Sequence, residues 1–130
     1  MFKRIDHVEI VTEQPAETVR FYTEVLGFTV KRQDRIERPG GSALNLTYLD
    51  LGGTTVELMH WEGVELDPAP ANEHLGYRMI ALEVDDMKKT TEELKQKGID
   101  IVWGPMVRES YARAEISDPN GYRIELRQWF

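Results

Sequence analysis

The chain opens on a short alternating run, Ile5-Asp6-His7-Val8-Glu9-Ile10-Val11, rich in β-branched residues. Successive side chains of a strand face opposite ways, so His7 and Glu9 share one face and Val8 and Ile10 the other. The period then changes. Pro15 suits a first helical turn, where its missing N–H costs little. Val19, Tyr22 and Leu26 recur at helical spacing, Phe21 and Val25 widen the stripe, and Gly27 fits the left-handed position that ends a helix. Strands are predicted next at 28–35, 43–50 and 54–60, the last two joined by Asp50-Leu51-Gly52-Gly53. Residues 61–76 show no period and read as a connector. From Tyr77 the pattern restarts, with a strand reaching Asp85. Asp85 is placed to cap a helix whose apolar stripe is Met87, Thr91 and Leu94 and whose end is Gly98. Strands follow at 100–107, 110–117 and 122–129. Between the last two lies Asp118-Pro119-Asn120-Gly121, where Pro fixes φ and Asn-Gly accepts positive φ.

The second half repeats the first. Leu26-Gly27-Phe28 corresponds to Lys97-Gly98-Ile99, 71 positions on, and Asp50 to Trp61 runs beside Asp118 to Trp129 at an offset of 68. Aligning the first strands sets His7 opposite Met79, an offset of 72. The expected organisation is therefore one domain of two copies: module one at 1–62, a connector at 63–76 and module two at 77–130. A copy of that size buries little core alone, so the two are expected to pack together, within one chain or across a dimer. Parity turns Val8, Ile10, Val56 and Leu58 toward the first helix and leaves His7, Glu9, Glu57 and Met59 on the other face. In the repeat Ile80, Leu82, Ile124 and Leu126 face the helix, leaving Met79, Ala81, Glu83, Arg123, Glu125 and Arg127. The face away from the helix thus collects acids, a histidine and arginines, which in a cavity must pair or bind a metal.

Composition narrows the field. The 130 residues are 41% hydrophobic and 30% charged, as expected of a domain with a core. There are 16 Lys and Arg against 23 Asp and Glu, a net charge of −7, and no basic tail. That argues against nucleic acid as the main partner. No apolar run is long enough to span a bilayer, and charges break the start too early for a secretory signal, so cytoplasmic residence is the expectation. With no cysteine there is no disulfide, iron–sulfur cluster or thiol catalysis.

The motifs Ile5-Asp6-His7-Val8, Arg20-Phe21-Tyr22 with Val25-Leu26-Gly27-Phe28, Val56-Glu57-Leu58, Ile80-Ala81-Leu82-Glu83-Val84-Asp85, and Asp118-Pro119-Asn120-Gly121-Tyr122 with Ile124-Glu125-Leu126 span nearly the whole chain. Together they resemble the vicinal oxygen chelate superfamily of glyoxalase I, epimerases, bleomycin and fosfomycin resistance proteins and extradiol dioxygenases. The resemblance implies an α+β fold of two βαβββ modules whose curled mixed sheet surrounds an open cavity. It also implies four metal-ligand positions, here His7, Glu57, Met79 and Glu125. Three suit a divalent Ni, Zn, Mn or Co ion, whereas Met79 stands where histidine is usual and offers only a soft thioether. Met79 is read as cavity packing. A dioxygenase needs two histidines and a carboxylate, and a fosfomycin-modifying transferase a second histidine; the quartet has one.

The activity implied is that of a lyase or isomerase of glyoxalase type. A metal on His7, Glu57 and Glu125 would stabilise the enediolate formed from a small hydroxy-carbonyl or thioester substrate. Glu125, or else Glu57, would take the proton. The alternative is a metal-free, ligand-trapping protein similar to the bleomycin resistance proteins. A homodimer is the expected assembly. Arg123 and Arg127 flank Glu125 and are expected to pair with cavity acids or orient an anionic substrate. Lys31, Arg32, Arg35 and Arg38 read as a charged edge that resists strand pairing. His60 falls on the opposite face from Glu57, His74 lies in the connector, and Trp61, Trp103 and Trp129 could line a pocket or a dimer contact.

Overall fold

The computed structural model describes residues 1–130. The chain forms two compact units, Met1–Pro68 and Ala69–Phe130, divided inside the non-periodic stretch. In the first, strand β1 (His7–Val11) leads to helix α1 (Pro15–Arg20), then to β2 (Thr29–Glu37), β3 (Ala43–Leu51) and β4 (Thr54–Glu62). In the second, β5 (Ile80–Glu83) leads to α2 (Met87–Gln96), then to β6 (Trp103–Val107), β7 (Tyr111–Ser117) and β8 (Arg123–Trp129). Each unit is one four-stranded mixed sheet, ordered β1-β4-β3-β2 and β5-β8-β7-β6. This is the βαβββ module read from the sequence, twice over.

The registers prove the repeat. Val8 lies beside Val56 in the parallel pair β1–β4, and Ile80 beside Ile124 in the parallel pair β5–β8. The offsets of 72 and 68 are therefore true structural equivalences. The offset of 68 does not extend back across the hairpin, however. Leu49 pairs with Val56 while Ile116 pairs with Ile124, so β3 and β7 correspond at 67. The cause is the second hairpin loop, which is one residue longer than strict repetition requires. It is closed by the buried Asp118 carboxylate, whose Oδ1 accepts from the amides of Asn120 at 2.8 Å and Tyr122 at 3.0 Å. Positive φ falls on Gly121 alone, at 81°, so the expected left-handed Asn-Gly pair is corrected to a single glycine held by an aspartate.

The helices differ by one residue, and the difference has a location. Pro15 and Met87 both begin helices and are 72 apart, whereas Gly27 and Gly98 both end them and are 71 apart. The extra residue is absorbed by a π-helical turn, Phe21–Val25, in which the Leu26 amide donates to the Phe21 carbonyl at 3.2 Å. Of the expected stripe Phe21 and Tyr22 are buried and Val19, Val25 and Leu26 half-buried; Thr18 completes the buried centre, its hydroxyl donating to Gln14 O at 2.7 Å. Tyr22 makes edge-on contacts with Phe21 and Phe28, centroids 5.7 and 5.4 Å away. Leu49, Val56 and Leu58, on the apolar face of the first sheet, are buried as well, and α1 packs on β4. In the second unit the buried stripe is Met87, Thr91 and Leu94, as the spacing predicts, packed on β7 and β8.

Several boundaries move: β1 begins at His7 rather than Ile5, and β6 at Trp103 rather than at 100. The cap of α2 is Asp86, not Asp85: the Asp86 carboxylate accepts from the Lys89 amide at 2.9 Å, and a cap must sit one residue before Met87 to reach that donor. The strand expected from Tyr77 shortens to Ile80–Glu83, because parallel pairing with β8 begins at Ile124.

Gly104 marks a close approach. It has φ +78°, within a register shift between Trp103 and Met106, and a Cβ there would stand 2.9 Å from the Arg113 carbonyl oxygen. Gly104→Ala is expected to lower stability by about 2 kcal/mol or more, from left-handed strain plus the clash with β7 backbone. Urea unfolding of the variant against the parent protein measures it.

Candidate functional site

In the first unit the parallel pairing of β1 with β4 sets Glu9 beside Glu57, and strand alternation brings His7 to the same face. His7 Nε2 lies 3.0 Å from Glu57 Oε2 and 3.6 Å from Glu9 Oε1. One ligand atom from each of the three residues lies within 4.8 Å of the others. Glu57 is only 7% exposed, whereas Glu9 reaches solvent. An acid this buried is costly without a cation nearby. Here two carboxylates share a single imidazole, so the cluster is electronegative even when His7 is charged.

The other ring nitrogen is fixed as well. His7 Nδ1 lies 3.0 Å from Asp6 Oδ2, and Asp6 is held from behind by Arg4 at 3.2 Å. The bond to Asp6, reinforced by the charge of Glu57 and the contact with Glu9, raises the His7 pKa above its usual value, and the same bond lowers that of Asp6. A carboxylate on Nδ1 aims Nε2 at Glu57 and Glu9, the arrangement in which imidazole serves as a metal ligand.

Sequence parity had His7, Glu9 and Glu57 on one face and the structure brings all three together. Glu9 was missed as a ligand candidate; its signal was its place two residues after His7 on the same strand.

The second unit places its residues differently. Glu125 (β8) lies beside Glu115 (β7), and both are buried, 9% and 5% exposed. Four arginines surround them. Arg113 Nη2 contacts Glu115 Oε1 at 2.8 Å and Glu125 Oε2 at 3.0 Å. Arg127 Nε donates to Glu125 Oε1 at 2.7 Å, and Arg123 Nη1 lies 3.4 Å from Glu115 Oε2. Arg78 Nη1 lies 3.7 Å from Glu115 Oε1 and 3.5 Å from the Met79 sulfur. Both oxygens of Glu125 are therefore engaged by guanidinium groups. Of the expected site residues, His7 and Glu57 sit together in the first unit, and Met79, Arg123, Glu125 and Arg127 in the second. Glu115, Arg113 and Arg78 were not anticipated. Their signal was the face shared by Arg113 and Glu115 with their strand partners Arg127 and Glu125.

The remaining candidates are engaged locally. Arg32 stacks on Tyr48 at 4.4 Å and pairs with Asp34, Lys31 with Asp50, and Arg35 with Glu37 and Glu62, while Arg38 stacks on Trp61. His60 falls beside Asn45 on the other face of β4. The ring nitrogens of His74 are each 3.0 Å from a backbone carbonyl, those of Asn72 and Tyr77, which raises its pKa.

Residues 4–126 match the Glyoxalase/Bleomycin resistance protein/Dioxygenase superfamily, and the chain belongs to that family. It is similar to the lactoylglutathione lyase of Neisseria meningitidis serogroup A, 32% identical over 96% of this chain and 90% of the relative. A virulence protein of Salmonella typhimurium is 31% identical over 97% of this chain and 84% of its own. Among solved structures, a Bacillus cereus glyoxalase family protein superposes with a TM-score of 0.81 at 21% identity, covering 100% of this chain and 96% of the other, which bears on the fold alone.

The His7–Asp6 pair generates a direct expectation. In chelator-treated protein the His7 ring resonances should titrate with a midpoint above 6.5, and Asp6→Asn should move that midpoint down. Since the folded value exceeds the unfolded one, the stability His7 contributes is complete below about 6.5 and lost as pH rises through the folded midpoint. An NMR titration of both proteins reads the shift.

Proposed function

We propose that this chain is a glyoxalase-type lyase that holds a divalent metal ion on His7, Glu9 and Glu57 and acts on a small hydroxy-carbonyl or thioester compound. The observation that carries the reading is the buried Glu57 carboxylate, which with Glu9 converges on one imidazole nitrogen. Its donor set of one imidazole and two carboxylates suits Zn, Ni, Mn or Co. Relatives named lactoylglutathione lyase, about 30% identical over most of the chain, support the lyase class.

When bound, such an ion supplies Lewis-acid polarisation of two neighbouring substrate oxygens. The protein supplies the rest. Asp6 holds the His7 ring in the tautomer that leaves Nε2 free to ligate. Glu57, shielded from water, is the acceptor for the proton leaving the carbon next to the polarised carbonyl, at a free carboxylate oxygen. Glu9, at the exposed side, balances charge. We leave Glu125, the third ligand expected from the family pattern, outside the set, because both of its oxygens already accept from Arg113 and Arg127.

Calorimetric titration of chelator-treated protein with Ni²⁺ or Zn²⁺ tests this. One ion per chain is expected, with affinity reduced roughly tenfold or more in His7→Ala and Glu57→Gln and roughly tenfold in Asp6→Asn. Glu125→Gln should stay within about threefold of the parent, whereas a loss as large as that of His7→Ala would return Glu125 to the ligand set. Absence of binding to the parent protein at micromolar metal would overturn the reading in favour of metal-free ligand trapping.

A further inference from the structure

The repeat allows the two modules to be compared position by position, and the comparison shows opposite chemistry. At the offsets that the registers establish, His7 corresponds to Met79, Glu9 to Ala81 and Glu57 to Glu125. Around Glu57 stand Thr55 and Met59 on the same strand and Tyr48 and Leu46 on the next. Their equivalents in module two are Arg123, Arg127, Glu115 and Arg113. The imidazole and one acid have gone, and three neutral positions have become arginine.

Close to the two buried glutamates the charges do not cancel. Arg78, Arg113, Arg123 and Arg127 face the carboxylates of Glu115 and Glu125, while the other acids nearby, Glu73 at 4.0 Å from Arg78 and Glu83 beside Arg127 in the β5–β8 register, are exposed. All four oxygens of the two buried glutamates are engaged, and guanidinium donors are left over. Arg113 Nε is buried without a hydrogen-bond partner, and Arg123 and Arg78 remain about half exposed. The inner guanidiniums also lie over aromatic rings: Arg113 stacks on Trp103 at 4.7 Å, and Arg127 lies 4.6 Å from the Tyr111 ring centre and 4.9 Å from that of Trp129. Stacked, oriented forks with an open edge are suited to a planar or tetrahedral oxyanion.

We propose that module two carries an anion-binding site, with Arg123 and Arg78 as the accessible donors and the Arg113–Arg127–Glu115–Glu125 lattice as their support, and that it takes a carboxylate or phosphoryl group of a small molecule. In an otherwise acidic chain, a local cationic surplus held over buried carboxylates attracts such a group and fixes its orientation. The inference uses residues of the second unit alone and does not depend on metal binding in the first.

The test uses full-length, chelator-treated protein at low ionic strength, titrated separately with inorganic phosphate and with malonate while the arginine Nε–Hε resonances are followed. Saturable shifts at Arg123 and Arg78 are expected. Arg123→Gln and Arg78→Gln, both at exposed positions, should each weaken binding by roughly threefold or more. His7→Ala should leave the anion affinity unchanged, so this inference and the metal reading fail independently. Non-saturating shifts, or equal affinity in the parent and in the two arginine variants, would overturn the proposal. A preference for phosphate over malonate, or the reverse, decides the ligand class.

Discussion

The parallel pairing of the first and last strand of each module is the constraint on which the functional reading rests. In β1–β4 it aligns Val8 with Val56 and Glu9 with Glu57; in β5–β8 it aligns Ile80 with Ile124 and Ala81 with Glu125. A slip of one residue would carry every inward-facing side chain to the opposite face. The register is held by what lies on that opposite face: Val56 and Leu58 in one unit, and Ile124 and Leu126 in the other, all buried beneath the helix. Apolar packing on one side therefore fixes polar chemistry on the other and sets Glu57, Glu115 and Glu125 on that face.

Much of this was legible in the amino-acid order, because strand alternation and helical spacing are short-range rules. The repeat, the order of elements and the shared face of His7, Glu9 and Glu57 all follow from periods of two and about 3.6. What escaped notice depended on counting across gaps or on long-range partners. Phe21 and Tyr22 lay in the predicted stripe; Thr18 did not, because a polar residue carries no apolar signal, and the π turn that sets Val25 and Leu26 off the buried centre has no periodic signature. The identity of the cap turned on a single position between Asp85 and Asp86, where composition offers no preference. Glu115 and Arg113 went unnamed as site residues because their place beside Glu125 and Arg127 depends on the register of the β7–β8 hairpin, which its loop sets.

Electrostatics separates the two halves more sharply than sequence similarity joins them. The first sheet gathers carboxylates on one imidazole, a donor set that suits a cation. The second encloses carboxylates among guanidiniums, and its accessible donors suit an anion. The family pattern marks Glu57 and Glu125 as equivalent, and by fold they are. Their neighbours give them different work: one carboxylate stands beside a histidine, while the other is already saturated by arginine.

The π turn of the first module bears on how such a duplicated chain can change. Its surplus residue is swallowed within a single helix, and both flanking strands keep their alignment, since Gly27 closes the widened turn as Gly98 closes the regular one. This length difference is thus confined to the crossover segment, and the parallel pairing of β1 with β4 matches that of β5 with β8. One copy could acquire a bulkier aromatic underside through that freedom while its twin stayed compact, and neither sheet would have to be re-threaded.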